Sequence, residues 1–161
     1  MKYTIWLLYL ILISFPCYSA HSDKENTLKE QALDFFNHYI TNLNDYLSDK
    51  DLSAVKNKTI HDIHLPSHVI QPNGKLTQLK EQDQVIKGFT AFLEKNKSLG
   101  VTQIKWQQMD IKSINDFAVV ANNTAQMLDD QGKIIQTVKA VYVLHRSKDD
   151  WAIVLRIPQT H

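Results

Sequence analysis

The chain has 161 residues, 43% of them hydrophobic and 22% charged, with a formal net charge of +1. That suffices to bury one ordinary core, and a balanced charge without basic runs argues against a dedicated nucleic-acid binder. A single cysteine excludes an internal disulfide framework, and four glycines leave little material for a glycine-rich phosphate cradle.

Lys2 is followed by an almost wholly apolar run from Tyr3 to Phe15, then Pro16 and the small residues Cys17, Ser19 and Ala20. This is the three-part layout of a secretory signal peptide, which predicts a leader over residues 1–19 cut after Ser19 or Ala20. A retained membrane anchor is the alternative, but the run is shorter than the roughly 20 apolar residues a spanning helix needs. Ser14-Phe15-Pro16-Cys17 departs from the Leu-Ala-Gly-Cys pattern of lipoprotein signals. The expected product is periplasmic or secreted, has no stable membrane anchor, and has lost its cysteine with the leader.

Residues 20–27 read as a polar, flexible start to the mature chain. From Thr27 the apolar positions Leu28, Ala32, Phe35, Phe36, Tyr39, Leu43, Tyr46 and Leu47 recur at three- and four-residue spacing, the stripe of an amphipathic helix. Thr27 and Glu30 fit a capping box. Ser48 to Asp51 reads as a break, followed by a short helix over residues 52–56. Pro66 and Pro72 exclude a long helix between His61 and Pro72. Asn73-Gly74 predicts a hairpin turn between Val69-Ile70 and Leu76. A second amphipathic helix is expected from about Gln82 to Asn96, with Gly100 as its stop. After Gly100 the pattern alternates as strands over 102–106, 117–128, 134–145 and 151–157, joined by short polar turns into an antiparallel meander. The expected fold class is α+β, with helices packed on one face of a curved sheet, in a single domain over residues 28–158.

His61, His64 and His68 form the densest set of metal-ligating side chains. In an extended segment His61 and His64 point to opposite faces, so solvent-exposed histidines are expected rather than a metal site. Arg156 and Lys139 each interrupt an apolar strand. Strand alternation favours the water-facing side for both, and an inward Arg156 would instead need a partner or an anionic ligand. Trp106, Tyr142 and Trp151 supply aromatic surface whose default use is packing, with ligand stacking as the rarer one. Asn57-Lys58-Thr59, Asn96-Lys97-Ser98 and Asn122-Asn123-Thr124 fit the glycosylation pattern. No serine nucleophile elbow or paired-cysteine motif is present, and no cofactor is expected.

The segment Phe36-Asn37-His38-Tyr39-Ile40-Thr41-Asn42-Leu43-Asn44, followed by Asp51-Leu52-Ser53-Ala54-Val55 and Val69-Ile70-Gln71-Pro72-Asn73-Gly74, resembles the NTF2-like superfamily. That superfamily includes ketosteroid isomerases and SnoaL-type cyclases. The resemblance implies a cone of helices and curved sheet around a pocket, and an outer sheet face used for a homodimer. It places Tyr39 where isomerases keep a tyrosine donor. The carboxylate base would fall at Gln71 and the buried acid near Ala140 or Val141, none of which ionises, so isomerase chemistry is not expected. The reading is a non-catalytic domain that binds a small, largely apolar molecule or a protein partner. Tyr39, Trp106, Tyr142 and Arg156 are the pocket candidates. An acid–base enzyme using Tyr39 with His64 or His68 is the alternative, and a structural dimer with a filled cone is the second.

Overall fold

The computed structural model describes residues 17–48, 62–148 and 150–159. The apolar run over 3–15, the short helix expected at 52–56, His61 and the Asn57 glycosylation pattern lie outside the described residues.

Helix α1 spans Cys17–Leu47. It begins well before Thr27, so the expected capping box does not form and Thr27 is an interior, exposed helical position. No proline or glycine interrupts residues 17–47, and nothing local stops the helix there. Its polar start is tied to the turn at residues 116–117 by an ion pair from Lys24 to Asp116 at 2.6 Å, and an i,i+4 pair of Lys29 with Glu25 at 2.8 Å lies along the helix itself. The expected apolar stripe is the buried one except at Phe35, which is partly buried: Ala32 and Phe36 are fully buried, and Leu28, Tyr39, Leu43, Tyr46 and Leu47 nearly so.

Strands β1 (Ile63–Ile70) and β2 (Leu76–Leu79) form the antiparallel hairpin that Asn73-Gly74 predicted. The Gly74 N–H donates to Gln71 O, the Gln71 N–H donates to Lys75 O, and Gly74 adopts φ +79°. Helix α2 (Gln82–Ser98) starts at Glu81, whose side chain and that of Gln84 form a reciprocal capping box. It stops at Gly100, which takes φ +85°.

Strands β3 (Gln103–Asn115), β4 (Ala118–Leu128), β5 (Ile134–Ser147) and β6 (Asp150–Gln159) follow as an antiparallel meander. The sheet order is β2-β1-β6-β5-β4-β3. β1 joins β6 in parallel, so the sheet is mixed at that one junction. β3 runs well past Trp106, because its full length pairs with β4 with register shifts between Trp106 and Gln108 and between Ser113 and Asn115. α1 packs on the inner face, and the core lies between its stripe and inward residues such as Val119, Ala121, Tyr142 and Leu144.

A polar side chain of α1 ties the helix to the edge of the sheet. Asn44 on α1 donates from Nδ2 to Ile104 O at 3.0 Å and accepts at Oδ1 from the Ile104 N–H at 2.7 Å. Its amide pairs with the edge strand β3 as a peptide group of a further strand would.

Candidate functional site

Along β6 the alternation is broken once. Leu144 pairs with Ile153 and Val143 with Leu155, so Val154 is the extra residue of a β-bulge. Ile153 and Arg156 both line the inner cavity although three positions apart. Unbroken alternation from Ile153 would send Arg156 to water. The bulge reverses it, and Arg156 pairs with the inward Tyr142. The water-facing expectation for Arg156 is therefore corrected. Lys139 borders none of the described cavities and pairs with the exposed Gln159.

The cavity has a volume of about 230 Å³ and lies between α2, the β1–β2 hairpin and the inner face of β6. Its apolar wall includes Ile63, Val69, Leu79, Val85, Phe89 and Phe92. Polar side chains on its wall are Tyr39, Ser67, His68, Gln71, Thr77, Gln84 and Arg156. No carboxylate lines it among the described residues. Tyr39, Phe92 and Arg156 also border a recess of about 30 Å³ on the side of β4 and β5, where Asn123, Trp106 and Tyr142 complete the wall.

Tyr39 is held in an aromatic cluster, stacked on Phe35 and edge-on to Phe89 and Tyr142. Burial lifts its pKa well above 10.0, and Tyr142 raises it further against the opposing pull of Arg156. The phenol therefore stays protonated and serves as a hydrogen-bond donor at any ordinary pH. Arg156 is half-buried, with its guanidinium 5.5 Å from the Phe92 ring centroid and 5.8 Å from that of Tyr142. Its pKa is raised chiefly by Tyr142, against the effect of burial, so the cation persists. None of the ion pairs among the described residues includes it. Aromatic faces supply about 0.5–2 kcal/mol each to such a cation, and its Nε is buried without a hydrogen-bond partner. Ser67 Oγ and Asn123 Nδ2 are in the same condition at the walls of these cavities. Leaving such a donor unpaired costs about 1–3 kcal/mol.

The residues singled out from sequence fall into three groups. Tyr39, Tyr142 and Arg156 come together as one cluster. Trp106 borders only the small recess, and its indole N–H donates to Phe36 O at 3.3 Å, which holds it as a packed wall. Of the histidines, His68 lines the larger cavity. His64 is exposed, as the sequence led one to expect, with its ring 6.1 Å from that of His145 and away from that cavity, so the structure does not bring it to Tyr39. Gln71 and Ala140, the positions of the isomerase base and acid by resemblance, border the larger cavity and the recess respectively. Among the described residues no three histidine, cysteine or acidic side chains gather as a metal site. Asn96 is buried and donates to Phe92 O at 2.7 Å, which closes it to glycosylation in the folded chain.

Sequence reasoning missed Ser67, Phe89, Phe92 and Asn123. For Asn123 a signal existed: Asn122-Asn123-Thr124 puts consecutive polar residues inside an apolar strand, and alternation forces one of them inward.

The model of a family described as NTF2-like protein (DUF6841) matches residues 29–161. No curated protein matches the chain in sequence. Among solved structures, Aln2 from a Streptomyces species is similar at a TM-score of 0.63 and 12% identity, over 83% of this chain and 90% of that one. An NTF-2 like protein of unknown function from Shewanella oneidensis is similar at 0.56 and 13%, over 80% and 99%. A protein from Catenulispora acidiphila in complex with S-DNPA is similar at 0.61 and 12%, over 84% and 94%. At such identities the likeness is one of fold.

Proposed function

This chain belongs to the NTF2-like family DUF6841, and from that premise we propose that its cone binds a small, largely apolar molecule without transforming it. The observation that carries this reading is the cavity of about 230 Å³ with apolar walls and a few convergent polar groups, the usual composition of a small-molecule site. The described wall offers one imidazole and no carboxylate, which supports holding a ligand over acid–base work. The Catenulispora protein of this fold, in complex with S-DNPA, lends further support. Export through a cleaved leader and a homodimer through the outer sheet face belong to the same proposal.

Native mass spectrometry of the protein from its own host tests it. The expected result is a retained small molecule that survives desalting and leaves on unfolding. Protein that emerges empty, and that takes up no small apolar compound when challenged, would overturn the reading.

A second reading has one observation in its favour: His68 shares the cavity with the Tyr39 phenol. That pair would make an acid–base enzyme of the SnoaL type. It requires a rate profile with a step near neutral pH that H68Q abolishes, and a flat profile would end it.

A further inference from the structure

The buried polar groups left without partners around the cavity share one property. The three that are buried without partners at its walls and at the adjoining recess, Arg156 Nε, Ser67 Oγ and Asn123 Nδ2, can all donate. Tyr39, whose phenol keeps its proton between the two spaces, is already hydrogen-bonded to Tyr142 and leaves those three open. An entirely apolar ligand would leave these donors unanswered, and a ligand bearing donors would meet its own kind. An acceptor is required, and Arg156 asks that it be negative.

Resting on the binding reading above, we propose that the ligand is a small organic carboxylate, its charged end paired with the Arg156 guanidinium on the wall that also carries Ser67 and its apolar body lying against Phe89, Phe92 and Val85. A guanidinium presents its N–H groups in a planar fork that matches a carboxylate. The charge count fits one negative charge: Arg156 is the one cation on the described wall, and the remaining polar side chains there are neutral amides, hydroxyls and an imidazole. A phosphate monoester brings about −1.5 to −2 charges and three acceptor oxygens, more than this wall answers. The cavity at about 230 Å³ is below the ~300–1,000 Å³ of drug-sized sites. It suits a body of on the order of ten non-hydrogen atoms.

Phenylacetate and 2-phenylethanol share a ring and chain length and differ at the carboxylate, which makes them the matched probes. Each is titrated into the ¹⁵N-labelled protein and followed by ¹H–¹⁵N NMR, which also reports whether every variant is folded. Phenylacetate is expected to bind wild type at least about tenfold more tightly than 2-phenylethanol. R156M is expected to erase that preference, weakening phenylacetate at least about tenfold while shifting the alcohol by no more than about twofold. S67A, a smaller change that keeps Arg156 seated, should weaken phenylacetate a few-fold in the same direction. Equal binding of the two probes to wild type, or an undiminished preference in the variants, overturns the carboxylate assignment and leaves the cavity reading standing. Binding of neither probe, as for a cavity that holds only water, overturns both.

Discussion

Arg156 is seated between two aromatic rings with no acidic partner among the ion pairs described, so no ion pair there ties its charge to the fold. Removing a buried, incompletely satisfied charge in favour of an apolar side chain of similar length is neutral or stabilising. R156M is therefore expected to melt at or above the wild-type temperature, by up to about 1–2 kcal/mol in stability, when no ligand is added. A loss beyond about 1 kcal/mol in a calorimetric or circular-dichroism melt would mean that the aromatic seats outweigh the unpaired donor. Tyr39 makes the complementary case. Its pKa in the folded chain lies above the ordinary 10.0, so the protonated phenol is the stabilising form. That contribution is complete below pH 10 and is lost as pH rises from there through the folded-state value. Urea unfolding at about pH 9 and pH 11 should show a smaller alkaline loss for Y39F than for wild type, and equal losses would count against burial as the cause.

At the scale of elements, short polar devices decide how long apolar segments dock. The Asn44 amide satisfies both the N–H and the C=O of Ile104 on an edge strand, and alanine there leaves two part-buried backbone groups unanswered. N44A is expected to lose about 2–4 kcal/mol in chemical denaturation, and a loss under about 1 kcal/mol would show that water takes the place of the amide. Two glycines separate conformational need from packing space. Gly100 adopts φ +85° and a Cβ there would meet only Ile135 Cδ1 at 3.8 Å, so G100A should cost about 1–2 kcal/mol from the backbone alone. Gly88 lies within α2 with nothing within 4 Å of a built Cβ, so G88A should stabilise by about 1 kcal/mol. Because Gly88 borders the cavity, the same methyl would also trim the ligand space. Thermal melts of the pair should move in opposite directions. The bulge at Val154 is the element-scale feature that carries the site, since it turns Arg156 inward beside Tyr142.

At the scale of the whole molecule, the ion pairs among the described residues are peripheral. The side chains of Lys24 and Asp116 are 55% and 52% exposed, and those of Lys112 and Asp110 69% and 51%, which leaves solvent to screen them. Raising sodium chloride from about 0.05 to 0.5 M should accordingly change unfolding stability by less than about 1 kcal/mol. A larger fall would point to charges that act together across the surface.

The α+β class, the stripe of α1, the Asn73-Gly74 hairpin, α2 with its glycine stop and the four-strand meander were all legible in the chain. Each rests on periodicity or turn chemistry, and those act over a few neighbouring residues. Tyr39 was legible as a pocket candidate through family resemblance, whereas the bridging role of Asn44 was not. The early start of α1 was not, because a polar segment without glycine or proline is locally undecided and is held here by contacts such as Lys24 with Asp116. Nor was the parallel junction of β1 with β6, which joins segments far apart in the chain. The inward turn of Arg156 depends on which residue of β6 is left unpaired against β5, and only the pairing of two complete strands sets that. Separating His68 from His64 likewise needed the sheet, with its register shift between Ile63 and His68. The amino-acid sequence by itself determined the elements and their order, because hydrophobic period and turn propensity are local. Tertiary structure alone decided which side chains meet in the cavity, because register and bulges are properties of strand pairs.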